Sequence, residues 1–124
     1  MQGPQPDATT RGLPRTARVR KKREYDATFK RGRRFHSRGF TCVVAPAAAA
    51  GPRLGLAVSR RVGKAVVRNR VKRYVREFFR QHRSTFVRAG DVVVVAKPEA
   101  AAMSHAECDA SLASALRAGQ LLHG

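Results

Sequence analysis

One stretch constrains the fold of this chain more than any other: Arg60–Arg83, with the sequence RRVGKAVVRNRVKRYVREFFRQHR. At 100° per residue, the rotation of an α-helix, its apolar and cationic side chains fall on opposite sides. The apolar side contains Val67, Val71, Tyr74, Val75 and Phe78, with Phe79 at its border. The opposite side contains Asn69, Lys72, Arg73, Arg76, Arg80 and Arg83. The stretch therefore predicts a long helix that packs on a core through one face and meets an anion through the other.

The charge of the chain indicates a polyanionic partner. A solvated helix surface normally mixes acids and bases, but Glu77 is the only acid in the stretch above. The 124 residues include 26 basic and 8 acidic ones, which gives a net charge of +18. Two blocks hold this charge: residues 18–38 contain ten bases and two acids, and residues 53–83 contain eleven bases and one acid. This balance favours a nucleic-acid partner over a small-molecule enzyme.

The length suits one domain with a modest core. Residues 1–17 contain three prolines and no apolar periodicity, and we interpret them as a disordered basic tail before a domain at residues 18–120. Cys42 lies in an apolar run and predicts a reduced thiol in the core. The sequence shows no secretory signal and no membrane span. We therefore expect a cytoplasmic protein without a membrane partner.

The local patterns predict a two-layer α+β domain in the order α-β-β-α-β-α. The predicted elements besides the long helix are a first helix within residues 18–34 that ends at Gly32, strands at residues 39–45 and 53–58, a turn at residues 89–91, a strand at residues 92–96 and a last helix. Ser104 and Glu107 have the spacing of a capping box at the start of that last helix, and Gly119 is its expected end. The strands predict a central antiparallel or mixed sheet of three to four strands.

Two local features leave alternatives open. Tyr25 and Phe29 stand four residues apart on one face of the first helix. They either anchor this helix to the core or line a surface on which unpaired bases stack. In the strand at residues 53–58, Gly55 and Ala57 form a face of small side chains, which indicates that a protein helix or a nucleic-acid backbone lies close above it.

The polypeptide lacks the residues of a protein nuclease. Such an enzyme needs clustered carboxylates for metal ions or a histidine-based acid–base pair. The eight acids and four histidines are dispersed along the chain. His105 and Cys108 are three residues apart, but two ligands do not make a zinc site. We therefore expect no bond chemistry and no catalytic residues in the polypeptide itself.

Three ordered blocks resemble one known family. The run RLGLAVSRRVGKAVVRNRVKRYVREFF at residues 53–79 resembles the signature of the protein subunit of bacterial ribonuclease P, whose core is the element Arg68-Asn69-Arg70 followed by Val-Lys-Arg. The block KKREYDATFKRG at residues 21–32 is similar to the first helix of that family, and DVVVVAKP at residues 91–98 is similar to one of its strands. The likeness covers about residues 18–118 in consistent order, and the tail falls outside it.

The resemblance implies a fold, a function and partners. The fold would contain an unusual left-handed β-α-β crossover, against the usual right-handed rule. The holoenzyme of this family removes the 5′ leader of precursor tRNA, and its RNA subunit performs the Mg²⁺-dependent hydrolysis. The protein binds that RNA, holds the single-stranded leader and strengthens substrate and Mg²⁺ binding, without a dedicated metal site of its own.

The resemblance also implies two sets of site residues. The set expected to face the catalytic RNA is Arg68, Asn69, Arg70, Lys72, Arg73 and Arg76. The set expected to bind the leader is Tyr25, Phe29, Phe40, Val43, Ser59, Arg60, Arg61 and Lys64. Some family members have an aromatic residue in place of Val43, so stacking is not expected at that position. The alternative hypothesis is a non-catalytic RNA-binding or ribosome-assembly protein of similar fold, which would bind RNA without affecting cleavage.

Overall fold

The computed structural model describes residues 19, 22–46, 53–82 and 90–119. The elements in chain order are α1 (Lys22–Arg31), β1 (Arg33–Ser37), β2 (Phe40–Pro46), β3 (Arg53–Val58), α2 (Ala65–His82), β4 (Gly90–Ala96), a 3₁₀ helix (Pro98–Ala102) and α3 (His105–Ala118). The predicted tail at residues 1–17 lies outside the described residues, as do Arg83 and Ala89.

The four strands form one mixed sheet in the order β1-β2-β4-β3. The β1–β2 and β2–β4 pairs are antiparallel, and β3 pairs with β4 in parallel. Because α2 connects these two parallel neighbours, the predicted strand–helix–strand unit is present. The α+β class with a mixed sheet is thus confirmed, while the left-handed crossover stays a prediction.

Strand β1 is an element that the sequence pattern does not predict, whereas the expected end of the first helix at Gly32 is confirmed. Helix α1 ends at Arg31, and Gly32 turns the chain into β1. A Cβ at Gly32 would lie 2.5 Å from the Thr28 carbonyl oxygen and 2.7 Å from Val43 Cγ1, so only glycine fits there. The sequence of β1, RRFHS, has just one apolar residue and is exposed at the sheet edge, which explains why its strand pattern is weak.

The predicted turn at residues 89–91 is wrong for its last two residues. Gly90 and Asp91 are the first residues of β4 and pair with Pro46 and Ala45. Asp91 is 2% exposed, and its carboxylate pairs with Arg53 on the neighbouring strand. From sequence alone, an acid after a glycine is typical of a turn. In this fold Asp91 is buried in a strand instead, and the ion pair with Arg53 compensates for the cost of burying its carboxylate.

Helices α2 and α3 pack on one face of the sheet and enclose the main core. Strand residues Phe40, Cys42, Leu54, Val92 and Val94 supply the sheet side of this core. The helix side consists of Val71, Val75, Phe78 and Phe79 from α2 with Cys108, Leu112, Ala115 and Leu116 from α3. The predicted apolar face of α2 is thereby confirmed.

The predicted limits of α3 are also confirmed. Ser104 Oγ accepts a hydrogen bond from Glu107 N at 3.1 Å, and Glu107 Oε1 accepts one from Ser104 N at 2.8 Å. These two bonds make the capping box, and Gly119 is the C-cap residue. Helix α3 therefore begins and ends where its sequence indicates.

Candidate nucleic-acid interface

Helix α1 crosses the other face of the sheet, and the absence of a side chain at Gly55 lets it approach closely. A Cβ at Gly55 would lie 2.9 Å from Tyr25 Cε1 and 3.0 Å from Val19 Cβ. At the other end of α1, Gly32 lies against Val43 of β2. The helix thus runs across the strands from β3 toward β2. The open alternative at Gly55 is resolved in favour of a protein helix.

Hydrogen bonds fix the β3 end of α1 to the edge of the sheet. Tyr25 OH accepts a hydrogen bond from Leu56 N at 3.0 Å and donates one to the Leu56 carbonyl at 3.2 Å. Val19 N donates to the Leu54 carbonyl at 2.8 Å. These bonds satisfy backbone groups that the edge strand would otherwise leave to water. The ring of Tyr25, which is half-buried, is held in one place as a result.

A buried ion network fixes the opposite side of α1. The guanidinium of Arg53 donates to both carboxylate oxygens of Asp91, at 2.9 and 2.8 Å, and to Glu24 Oε2 at 3.0 Å. The Arg53 side chain is 13% exposed and that of Asp91 only 4%. The hydrogen bond to Asp91 is the main reason why the pKa of Arg53 lies above its usual range. This network connects α1 to β3 and β4 together.

Between these attachments, α1 covers only part of its sheet face. The strand register aligns Val43 with Val93 and Gly55 in one row, and Ala45 with Asp91 and Arg53 in another. In these two covered rows, the residues from β2 and β4 are at most 2% exposed. The next aligned row is left partly open and consists of His36, Thr41, Val95 and Ala57. Its members are exposed or half-buried except for Thr41, which is 9% exposed.

We call this open strip the groove: its floor is the row of His36, Thr41, Val95 and Ala57, and its wall is the α1 face with Tyr25 and Phe29. Glu24 reaches Arg53 on the far side of α1, while Tyr25 reaches Leu56 on the near side. Phe29, one turn after Tyr25, shares the near side and is half-buried. Two partly exposed aromatic rings beside this partly open floor form a surface that suits stacked bases.

The β1 end of the groove is cationic. The guanidinium carbon of Arg34 lies 5.8 Å from the centroid of the Phe29 ring, within the range of a cation–π contact. His36 Nδ1 lies 2.9 Å from Thr41 Oγ1 across the β1–β2 pair. Arg34 and His36 are both exposed. Sequence reasoning missed Arg34, His36, Thr41 and Val95, because β1 and the strand register were unknown, whereas Ala57 belongs to the face of small side chains that the sequence indicates.

The β3 end of the groove leads into a tight basic turn at residues 59–64. Val62 N donates to the Ser59 carbonyl and Gly63 N to the Arg60 carbonyl, each at 3.1 Å, and Val62 is 4% exposed. Gly63 has φ of 151°, a conformation that favours glycine. The predicted leader-binding residues of this turn are all exposed: Ser59, Arg60, Arg61 and Lys64. Their backbone is thus fixed while their side chains face solvent.

Helix α2 follows this turn and presents the predicted RNA-facing set. Asn69 and Arg73 are exposed, and Arg68, Arg70, Lys72 and Arg76 are half-buried. Arg68 Nε donates to the Gly63 carbonyl at 3.1 Å, and Arg70 Nη2 donates to the Ala101 carbonyl at 2.6 Å. The two arginines of the Arg-Asn-Arg element therefore also connect α2 to the turn before it and to the 3₁₀ helix.

Phe40 and Val43 do not share a surface. They are three residues apart in β2, and alternate residues of a strand point to opposite faces. Phe40 is 0% exposed within the core under α2 and α3, and Val43 is 0% exposed beneath α1. In this structure both side chains pack inside the protein, and Thr41 takes the position in the groove.

Within the described residues, no three His, Cys, Asp or Glu side chains lie close enough together to hold a metal ion. Burial raises the pKa of Cys42 to about 12, which fits the buried, reduced thiol that the sequence predicts. None of the described helices combines the length and apolar character that would let it cross a bilayer.

The family model described as Ribonuclease P matches residues 13–119. The chain belongs to the ribonuclease P protein family. It is 50% identical over 109 residues to the ribonuclease P protein component of Desulfovibrio desulfuricans, a match that covers 85% of this chain and 84% of that protein. Ribonuclease P acts in the 5′ processing of tRNA, and proteins of this family are its non-catalytic subunit.

Solved structures of the family agree with the fold. The ribonuclease P protein of Staphylococcus aureus superposes with a TM-score of 0.81 at 30% identity, over 86% of this chain and 98% of that one. The protein from Thermotoga maritima gives a TM-score of 0.74 at 28% identity, over 82% of this chain and 96% of that one. Family membership therefore favours the ribonuclease P subunit over the alternative of a ribosome-assembly protein.

Proposed function

We propose that the groove holds the single-stranded 5′ leader of precursor tRNA while α2 binds the catalytic RNA subunit. The observation that supports this assignment is the open row beside Tyr25 and Phe29, at the end of which the exposed turn at residues 59–64 leads into α2. An unpaired strand needs a stacking surface and nearby cations but no base-specific donors. The groove and the turn offer both.

In this proposal, the rings of Tyr25 and Phe29 stack on leader bases. Each stacked base contributes roughly 1–3 kcal/mol and shows little sequence preference. Ser59, Arg60, Arg61 and Lys64 bind leader phosphates as the strand leaves the groove toward the RNA subunit. Val43 supports α1 from below without touching the leader, and Phe40 contributes only to the core.

On α2, the exposed Asn69 and Arg73 make direct contacts with the RNA subunit, joined by the accessible parts of Lys72 and Arg76. A guanidinium has five N–H donors. Arg68 and Arg70 each use at least one within the protein and keep others for phosphates. They act in two ways: they orient α2 and they bind RNA. We assign the Mg²⁺ of the holoenzyme to the RNA subunit, and we place the complex in the cytoplasm with its substrate.

The test is cleavage of precursor tRNA by a bacterial ribonuclease P RNA at low Mg²⁺, with and without this protein. Two precursors separate the two surfaces: one with a leader of a single nucleotide, which still contains the bond that is cleaved, and one with a leader of several nucleotides. We expect the protein to stimulate cleavage strongly only with the longer leader, and this difference is the leader-dependent part of the stimulation. Tyr25→Ala combined with Phe29→Ala should abolish this leader-dependent part, because two stacking contacts are lost.

Asn69→Ala combined with Arg73→Ala tests the other surface. This variant should bind the RNA subunit more weakly and stimulate less with either substrate, because the two replaced side chains contact the RNA subunit and not the leader. Arg80→Ala is a matched control on the same helix, because Arg80 is already paired with Glu77. Equal stimulation of both substrates by the wild-type protein would contradict the leader groove. RNA binding without any stimulation of cleavage would favour the alternative hypothesis of a ribosome-assembly protein.

A further inference from the structure

The β1 edge, which we define by Arg33 and Arg34, has no role in the function proposed above. Both side chains are exposed, and no carboxylate of the described residues pairs with either. By contrast, Arg38, the residue that follows β1, pairs with Glu107, and Arg53 lies in the buried network. The two side chains leave the strand on opposite faces of the sheet, since the Arg33 guanidinium lies over the Phe35 ring and the Arg34 guanidinium lies over the Phe29 ring. A chain of phosphates that crosses this edge can therefore meet both cations.

The groove ends at this edge. Helix α1 and the open row both run across the strands, so the groove starts at Ala57 in β3 and reaches His36 in β1. Arg34 lies in the neighbouring row, aligned with Val43, and its guanidinium covers the Phe29 ring. A strand of RNA that follows the groove past Phe29 must therefore leave the protein beside Arg34.

We infer that the β1 edge binds phosphates of the leader beyond the groove, at the end far from the cleavage site. This inference rests on the proposed function, because the turn at residues 59–64 and α2 lie at the β3 end of the groove and orient the cleavage-proximal end toward the RNA subunit. Backbone phosphates of single-stranded RNA fit the edge because guanidinium groups bind phosphate oxygens in a bidentate manner.

The strand spacing sets where these contacts begin. Four adjacent strands span three spacings of about 4.8 Å, so the floor of the groove is about 14 Å long. A stacked strand advances about 3.4 Å per nucleotide. The groove therefore accommodates about four nucleotides, and the β1 edge meets those that follow.

Cations near this edge can also stabilise a helix dipole or protect an edge strand, but neither role accounts for the position of Arg34. Lys30 and Arg31 lie in the last turn of α1, where cations stabilise the helix dipole without any ligand. Charged side chains on an edge strand also prevent pairing with other sheets. That second role would hold for Arg33 and Arg34 too, but it does not require Arg34 to lie at the exit of a groove and over one of its aromatic rings.

The experiment uses the reconstituted holoenzyme and a series of precursor tRNAs whose leaders lengthen one nucleotide at a time. The variant is Arg33→Gln with Arg34→Gln. The matched control is Arg23→Gln with Arg117→Gln, which removes two exposed arginines from α1 and α3 and gives the same net charge. Unfolding in urea is measured for both variants to show that they are equally folded.

We expect the variant to bind substrates with leaders up to about four nucleotides as the wild-type protein does. With longer leaders it should bind about fivefold more weakly, and the control should not. The slope of log affinity against log salt should fall by about 1.4, because each single-strand phosphate contact contributes about 0.7. Arg33→Lys with Arg34→Lys should restore the salt slope but only part of the affinity, since it keeps both charges and loses the bidentate donors.

Three results would overturn the inference. Unchanged affinity at every leader length would leave only edge protection as the role of the two arginines. An equal loss with all substrates, including one without a leader, would place the contact on the RNA subunit or the tRNA body. A wild-type protein whose affinity does not depend on leader length at all would refute the proposed function, and this inference with it.

Discussion

The two faces of the sheet are held by different forces. Helices α2 and α3 close one face with a continuous layer of apolar side chains, in which Phe40, Phe79 and Leu112 are at most 2% exposed. On the other face, α1 is attached by directional bonds: the Tyr25 hydroxyl on β3, and Glu24 with Asp91 on Arg53. The first face is sealed, and the second leaves the groove open.

This difference shows how a small domain separates stability from binding. Apolar burial is non-directional and grows with area, so it tends to close every gap. Hydrogen bonds and ion pairs hold a helix at fixed points, and the surface between these points stays accessible. Attachment of α1 by a few polar contacts therefore allows an exposed stacking surface without a large exposed apolar patch.

The largest expected effect comes from the ion network. Arg53→Met leaves the carboxylate of Asp91, whose side chain is 4% exposed, without its partner. Removing one member of a buried pair costs about 3–5 kcal/mol, so the free energy of unfolding in urea should fall by about that amount. Because α1 loses its attachment, leader-dependent stimulation should decrease as well.

Arg38→Met is the control for this change. Arg38 and Glu107 form an ion pair with side-chain exposures of 61% and 48%, and exposed pairs contribute at most about 1 kcal/mol. If Arg53→Met were as mild as Arg38→Met, the second face would be held by apolar contacts like the first, and the comparison would break down.

A large effect of a different kind is expected on the sealed face. Leu112→Ala removes a side chain that is 1% exposed and should lower the free energy of unfolding by about 3 kcal/mol. Under conditions where the variant stays folded, its preference for substrates with a leader should equal that of the wild-type protein. A changed leader preference would show that the core face also shapes the groove.

Gly55→Ala tests the contact between α1 and β3 with an intermediate effect. The new methyl group would lie 2.9 Å from the Tyr25 ring and push it away from β3. Overpacking of this kind costs about 1–3 kcal/mol. Leader affinity should fall more than in Tyr25→Phe, which retains the ring position but removes the hydrogen bonds to Leu56. Equal leader affinities in the two variants would mean that the ring position does not matter.

The smallest effect concerns the capping box of α3, which lies away from the groove. The hydrogen bond that the Glu107 carboxylate accepts from the backbone N–H of Ser104 is the main reason why the pKa of Glu107 lies below its ordinary value of 4.5. A carboxylate with a lowered pKa in the folded state contributes stability above its unfolded pKa, and this contribution is lost as the pH falls. Glu107→Gln should therefore lower Tm at pH 7 and have less effect at pH 3, with leader preference unchanged. An equal decrease in Tm at both pH values would show that the charge of Glu107 does not contribute to stability.

The long helix α2 and the cap of α3 were predictable because their signals are local. The periodic apolar residues of α2 and the Ser104–Glu107 spacing lie within a few turns of the chain. Strand β1 was missed because five residues with two cations at an edge have no alternating apolar pattern. The floor of the groove could not be predicted because it depends on the register of four strands. Such pairings join residues that are far apart in the sequence, so no single segment indicates them. Phe40 was assigned to the leader site although it lies three residues from Val43 in a strand and so points away from it.

The two cysteines make the motions of the sealed face measurable without introducing any new residue. Burial raises the pKa of Cys42 to about 12 and that of Cys108 to about 11, so both thiols are protonated at neutral pH and shielded from solvent. Since the thiolate is the reactive form, an alkylating reagent modifies them only when the protein opens. Cys42 lies in the sheet and Cys108 in the helix that covers it. The relative rates of modification therefore report whether α3 lifts off before the sheet comes apart, and whether bound RNA slows either event.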